Sequence, residues 1–388
     1  MKTAISLIAG VLLATTLTAA GKSGTFQKTY GSKEDDGAKA VIKTDRGFLI
    51  VGETRADRDR RTDLYVIHID KKGNKLWSKA IGGRDDDKGS AAIRTDDGFV
   101  VVGTTESFGS DRSSIYTVKL DKKGDGQWQR AYFSNDESYY YGTGIARTSD
   151  GFKVVGWENK LEFFDSEVYG YVVDIDKEGE RRRLRRYGGK DDDMLYAVCK
   201  TDGGYILAGA TESLRDDDYG FDAYVLKVDE KGKVLWQHAY GWGYDESAYA
   251  IAPAKDGGFM ITGITKSNRD KRDEVYVLRI DKNGKKVWQN TYGGRYDEDA
   301  YAIVADDDGY VIAGYTETDT HGREDVYLLK IDDHGKVLWQ KNYGGREGDI
   351  AYGIVRTDDG YLVVGETESY GNGRKDAYIL KVDKEGNR

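Results

Sequence analysis

The chain repeats itself with a period of 51 to 55 residues, and that period leaves few folds open. A tryptophan closing each copy recurs as Trp77, Trp128, Trp236, Trp288 and Trp339, at spacings of 51, 108, 52 and 51 residues. The long gap holds two copies. Phe26 and Arg183 stand in the same column, four residues before Tyr30 and Tyr187, so seven copies result. In the copy between Trp288 and Trp339, the runs AYAIV (300–304), YVIAGYT (310–316), DVYLLKI (325–331) and VLWQKNY (337–343) are β-branched and aromatic and bounded by Gly or Asp. Such runs are strands. ADDDG and DDHG join them in pairs, with Gly supplying the positive φ of a tight hairpin turn. No run has a helical 3.6-residue period. Four strands in each of seven copies predict an all-β fold, a seven-bladed β-propeller with four antiparallel strands per blade.

The ends of the chain complement each other. TFQKTYG (25–31) matches VLWQKNYG (337–344), a fourth strand, whereas KVDKEGNR follows a third strand. The N-terminal segment is therefore expected to supply the outer strand of the last blade and close the ring. Within AYAIV, simple alternation puts Ala300 and Ala302 on one face and Tyr301 and Ile303 on the other. The pattern recurs at Ala248–Ile251 and Ala351–Ile354, so a small face of one blade would receive the large face of its neighbour. The Trp column, on the outermost strand, is expected to cover the blade edge.

Residues 1–20 have one early Lys, a charge-free apolar run and small residues before Gly21, which reads as a signal peptide cleaved after Ala20. The alternative is an uncleaved membrane anchor. Residues 21–388 are then a single propeller domain, secreted to the periplasm or cell surface, with no membrane span after cleavage. The chain has a formal charge of −9, one unit more negative without Lys2, and no basic tract, which argues against a nucleic-acid partner. Cys199 is the one cysteine, so no intrachain disulfide forms; it reads as a small buried hydrophobe.

The segments DEKGKVLW (229–236) and DHGKVLW (333–339) resemble the Asp-x-x-Gly-x-x-x-Trp turn of quinoprotein-type propeller repeats. The wider pattern, in TDDGFVVVGTTES (95–107) and TDDGYLVVGETES (357–369), is similar to the secreted β-propeller repeats of bacterial and archaeal surface proteins. The resemblance covers essentially all of the mature chain. It implies an extracytoplasmic location and no defined activity, because such propellers serve as scaffolds, binders and enzymes alike.

Hairpin topology puts the uniform turns on one face and the variable loops on the other, where binding loops are expected. Carboxylates recur there before the innermost strand: Asp35 and Asp36, Asp86 and Asp87, Asp136 and Glu137, Asp192 and Asp193, Asp245 and Glu246, Asp297 and Glu298, and Asp349. Asp36, Asp87, Asp193, Asp245, Asp297 and Asp349 are the candidate cation ligands around a channel mouth, since hard oxygens converging there suit Ca²⁺. The competing reading is that they bond backbone amides of an adjacent blade or are solvated. No other cofactor is expected.

Copy three departs from the rest. FSNDESYYYGTG (133–144) is two residues longer than the equivalent loop, the loop between its second and third strands carries Trp157, Phe163 and Phe164, and its last strand reads RRRLRRY. The ligand-binding candidates are Tyr139, Tyr140, Tyr141, Trp157, Phe163 and Phe164, with Trp242 and Tyr244 in the same loop class. Flat rings beside carboxylates suit sugar rings or a protein partner. The Arg cluster at 181–186 is a partner patch or protects an edge strand by charge.

No catalytic constellation is evident. His68, His238, His321 and His334 fall at different positions of different copies, and His68 stands in a column with Lys119, Lys227, Lys330 and Lys381, which reads as a surface substitution. Nucleophile elbows, paired Cys motifs and phosphate loops are missing. The expected function is a secreted scaffold binding a glycan or surface protein. The alternative is a polysaccharide-active hydrolase or lyase using channel-mouth acids. A quinone-cofactor dehydrogenase has only the blade turn in its favour.

Overall fold

The computed structural model describes residues 24–55, 61–109, 112–132, 138–161, 166–214, 220–243, 245–266, 272–320 and 322–388. The signal segment, Asp136, Glu137, Phe163, Phe164, Tyr244 and His321 lie outside them. Every regular element among the described residues is a strand, and no helix is long and apolar enough to cross a membrane. The strands form seven four-stranded antiparallel sheets, and the fold is a seven-bladed β-propeller. Blade 1 comprises Asp36–Lys43, Gly47–Thr54, Asp63–Asp70 and Lys75–Ile81. Blades 2 to 6 begin with Asp87–Arg94, Ser138–Arg147, Asp193–Thr201, Glu246–Pro253 and Glu298–Ala305. Blade 7 has Asp349–Arg356, Gly360–Thr367 and Asp376–Asp383, and its fourth strand is Phe26–Tyr30 from the other end of the chain. The register runs from Phe26 opposite Lys381 to Tyr30 opposite Ala377, as the matched end segments predict.

The chain divides into two compact units. The first holds residues 1–142, 178–180 and 347–388, the second 143–177 and 181–346. In the first, apolar clusters fill the spaces between blades 7 and 1 and between blades 1 and 2: Ile50, Tyr65 and Leu362 in one, Val51, Val66 and Phe99 in the other. In the second, equivalent clusters join blade 3 to 4, 4 to 5 and 5 to 6. Burial of these faces is the main stabilising term, because each sheet covers the next.

Two expectations need correction. The first strands do not alternate simply. Their pairing skips one residue between Ala38 and Ala40, Gly89 and Ala91, Leu195 and Ala197, Ala248 and Ala250, Ala300 and Ala302, and Ala351 and Gly353. The skipped residues, Lys39, Ser90, Tyr196, Tyr249, Tyr301 and Tyr352, sit in β-bulges that re-aim the chain. Consequently Ala300 and Ile303 pack on one and the same cluster, as do Ala248 and Ile251, and Ala351 and Ile354 are both buried. Small and large residues share a face, because the bulge shifts the alternation by one.

The column containing His68 is not a surface column. His68, Lys119, Lys330 and Lys381 are all buried, while Lys227 is partly buried. Each buried head group reaches the turn between the first and second strands. Lys119 pairs with Asp97, Lys330 with Asp306 at 2.9 Å and Lys381 with Asp359 at 2.6 Å. His68 Nε2 lies 2.9 Å from Thr44 Oγ1, and its ring meets Trp77 and Phe99 edge-on. A buried cation retained beside a carboxylate is the arrangement that limits the cost of desolvation.

Candidate functional site

The acidic pairs resolve into two columns with different partners. The buried column is Asp36, Asp87, Asp193, Glu246, Glu298 and Asp349. Its carboxylates turn back onto their own blade. Asp87 accepts from Gly83 N at 2.8 Å and Ser107 Oγ at 2.6 Å, and Asp193 from Gly189 N, Ser213 Oγ and Thr211. Glu246 accepts from Thr265 Oγ1 at 2.6 Å and Glu298 from Thr316 Oγ1 at 2.8 Å. Burial pushes the Asp36 carboxyl up to about 6 and raises those of Asp87 and Asp193.

The second column reaches the preceding blade. Asp86, Asp192, Asp245 and Asp297 accept through Oδ1 from the backbone N–H of Thr62, Val168, Phe221 and Asp273, at 2.8, 2.9, 3.1 and 3.2 Å. Of the six candidate cation ligands, Asp36, Asp87, Asp193 and Asp349 therefore belong to the buried column, and Asp245 and Asp297 to the other. No group of three or more His, Cys, Asp or Glu among the described residues is arranged to hold a metal ion.

Blade 3 substitutes both members of the buried acid–threonine pair. Tyr140 N donates to Ser113 O at 3.0 Å, the counterpart of Asp87 N to Thr62 O, so Tyr140 takes the place of the acid. It is 1 % exposed and presents no ring to solvent. Opposite it in column, Glu158 takes the place of the threonine. Glu158 pairs with Tyr169 in register just as Thr54 pairs with Asp63, after which the blade 3 hairpin continues to Leu161 opposite Ser166. Trp157 thus lies on a strand, partly buried, and not in a loop. Arg186 clamps the buried Glu158 with bonds of 2.8 and 2.9 Å and covers the Tyr169 ring. Arg183 donates to Lys231 O at 2.9 Å and Arg182 pairs with Asp176 at 2.6 Å, so three of the five arginines of the cluster serve the fold. Tyr139, under the Arg112 guanidinium, and Tyr141 are partly buried. Trp242 is 45 % exposed and rests edge-on against Tyr276.

The site that sequence reasoning missed is built by the bulges. In the second unit, Tyr196, Tyr249 and Tyr301 occupy the bulge of three successive blades. The Tyr196 and Tyr249 centroids are 5.0 Å apart, Tyr249 and Tyr301 5.7 Å, and Tyr301 and Tyr315 of the next strand 6.3 Å. All four rings are only partly buried. Acids gather at the blade 6 end. Tyr301 OH donates to Asp299 Oδ2 at 2.7 Å, and Asp299, 7 % exposed, leaves Oδ1 without a hydrogen-bond partner. Burial, opposed by that bond and reinforced by the charges of Asp273 and Asp297, pushes the Asp299 carboxyl up to about 6. Asp273 and Glu317 are raised too, first by burial and with help from the Asp297 charge, which Lys266 opposes at Asp273. Lys266 Nζ lies 3.8 Å from Asp273 Oδ1, too far for a hydrogen bond. The signal in the sequence is Tyr at one position of four consecutive copies, Tyr196, Tyr249, Tyr301 and Tyr352.

No family model matches the chain. An uncharacterized protein of Aquifex aeolicus (strain VF5) is 22 % identical over 262 residues, which are 62 % of this chain and 72 % of that protein. Among solved structures, the Neurospora crassa Pan2 WD40 domain matches with a TM-score of 0.55 at 10 % identity, covering 89 % of this chain and 90 % of that one. A puromycin hydrolase S511A mutant complexed with PGG matches with a TM-score of 0.58 at 14 % identity, over 92 % of this chain but only 53 % of that one. At such identities the likeness concerns the fold alone, and the fold these comparisons support is the β-propeller.

Proposed function

We propose that the chain is an extracytoplasmic binding scaffold whose ligand is a glycan laid against the tyrosine row of blades 4 to 6. The observation that carries this reading is the set of bulged tyrosines Tyr196, Tyr249 and Tyr301, whose rings adjoin at 5.0 and 5.7 Å with the Asp299 carboxylate at one end. Tyrosine rings offer apolar faces to the C–H surfaces of sugars, while hydroxyls and carboxylates take the sugar hydroxyls. Rings on strands are held more rigidly than rings on loops, which lowers the ordering cost of binding. The leader-like residues 1–20 and the likeness of the repeats to those of secreted surface proteins support an extracytoplasmic location. Trp242, exposed beside Tyr276, is a second candidate contact. A glycan array probed with the mature chain and with Tyr249→Ala tests the reading. Binding by the parent chain that is lost in the variant supports it, and a blank array with the parent chain rejects it.

One observation favours a polysaccharide-active enzyme as the second reading. Asp299, with its carboxyl pushed up to about 6 and Asp273 and Asp297 nearby, has the protonation behaviour of a general acid. Release of new reducing ends from an array-positive glycan would favour it over simple binding.

A further inference from the structure

Resting on the glycan reading above, we infer that the sugar recognised carries a protonated amine, held between the tyrosine rings and the carboxylates of Asp299 and Asp273. Three features point to a cation. Asp299 Oδ1 is buried and has no hydrogen-bond donor, and Asp273 Oδ1, also without one, has the Lys266 ammonium as an ion-pair partner at 3.8 Å. A buried carboxylate oxygen left open costs free energy in the empty site that an ammonium donor would recover. Tyr301 is fixed beside Asp299 by its hydroxyl bond and flanked by Tyr249 and Tyr315, so ring faces adjoin the acids. An ammonium over a tyrosine face gains cation–π attraction, most of all when desolvated. The charges surrounding Asp299 are Asp273, Asp297 and Lys266, with Glu317 close to Asp273 and Asp297. Lys266 forms an ion pair with Asp273 at 3.8 Å, and one lysine against Asp273, Asp297, Asp299 and Glu317 leaves the acids in excess. A neutral sugar would satisfy the open oxygens with hydroxyls but leave that excess uncompensated.

The experiment is titration calorimetry of the mature chain with three hexamers: of glucosamine, of N-acetylglucosamine and of glucose. The glucosamine hexamer is expected to bind about tenfold tighter than either of the others, the ratio that one charge-assisted bond supplies. Asp299→Asn and Asp273→Asn should each abolish the preference, and Lys266→Ala should sharpen it severalfold. Thermal melts identify any variant that fails to fold, and the Lys266→Ala change, at a partly exposed residue, then carries the test alone. Equal affinity for all three hexamers overturns the amine assignment and leaves the glycan reading intact. Absence of binding to any of the three overturns the amine assignment, and the glycan array then decides the glycan reading. A preference that survives Asp299→Asn and Asp273→Asn and ignores Lys266→Ala removes it from this site.

Discussion

Tyr292, at the end of the fourth strand of blade 5, donates a 2.7 Å hydrogen bond to the carbonyl of Gly335, in the turn of blade 6. Gly335 has a φ of +81°, and a Cβ there would stand 2.8 Å from the Tyr292 hydroxyl and 3.1 Å from the Trp288 ring, so only glycine fits. Trp288 Nε1 donates to Asp333 O of the same turn at 3.1 Å. The contact recurs as Tyr132 with Gly179 and Tyr187 with Gly232, at 2.7 and 2.8 Å. The Tyr four residues after the Trp column therefore ties its blade to the turn of the next, and Trp288 adds a second bond to the same turn. Tyr292→Phe should cost about 1 kcal/mol, one partly buried hydrogen bond, and Gly335→Ala more, because it adds strain to a clash. Urea unfolding of both variants provides the comparison, and equal midpoints for Gly335→Ala and the parent chain would contradict this role.

The pairing of Phe26–Tyr30 with Asp376–Asp383 makes the N-terminal strand a component of the last blade. Deleting residues 24–31 should expose the edge of the 376–383 strand, lower the melting temperature substantially and promote edge-to-edge association. A monomeric deletion variant with an unchanged melting temperature would remove the clasp from the account.

Blade 3 holds a buried carboxylate whose compensating charge comes from the surface. Arg186→Met leaves Glu158, 1 % exposed, without its guanidinium. Because the arginine is itself half exposed, the expected loss is about 2 kcal/mol, below the range for fully buried pairs. Tyr140→Ala should cost about 3–5 kcal/mol, as truncation of a buried aromatic does. Chemical denaturation distinguishes these from Tyr139→Ala, for which a much smaller loss is expected because Tyr139 is only partly buried.

Burial raises the carboxyls of Asp36 and Asp299 to about 6, and those of Asp87, Asp193 and Asp376 in the same direction. A raised folded-state value means that the folded chain binds the proton more tightly. The stabilisation is present near pH 4 and is lost as pH rises through about 6. Asp97, Asp256 and Asp359 are lowered, and their contribution fades only below the usual carboxylate range. The melting temperature should therefore rise from pH 7.5 to pH 5 and fall again in stronger acid. Asp36→Asn should flatten the rise; a monotonic fall from pH 7.5 downward would contradict the assignment.

The blade count and the closing strand were legible because glycine turns recur in every copy and a closing tryptophan marks five of the seven. The bulges were not. Tyr301 is an ordinary strand residue, and nothing in AYAIV shows that pairing skips it, so alternation placed Ala300 and Ile303 on opposite faces. His68 and its lysine column read as surface because charge alone signals exposure, whereas Asp97, Asp306 and Asp359 make burial tolerable. In blade 3 the buried position that an acid holds in the other blades belongs to Tyr140, which no pattern of acids marks.

The central claim is that the tyrosine row binds sugar, and calorimetry on the Tyr249→Ala, Tyr301→Ala double variant tests it most directly. Both rings are partly exposed, so the variant should stay folded and keep a cooperative melt while its affinity for an array-positive glycan falls at least tenfold. A folded variant with undiminished affinity would contradict the claim.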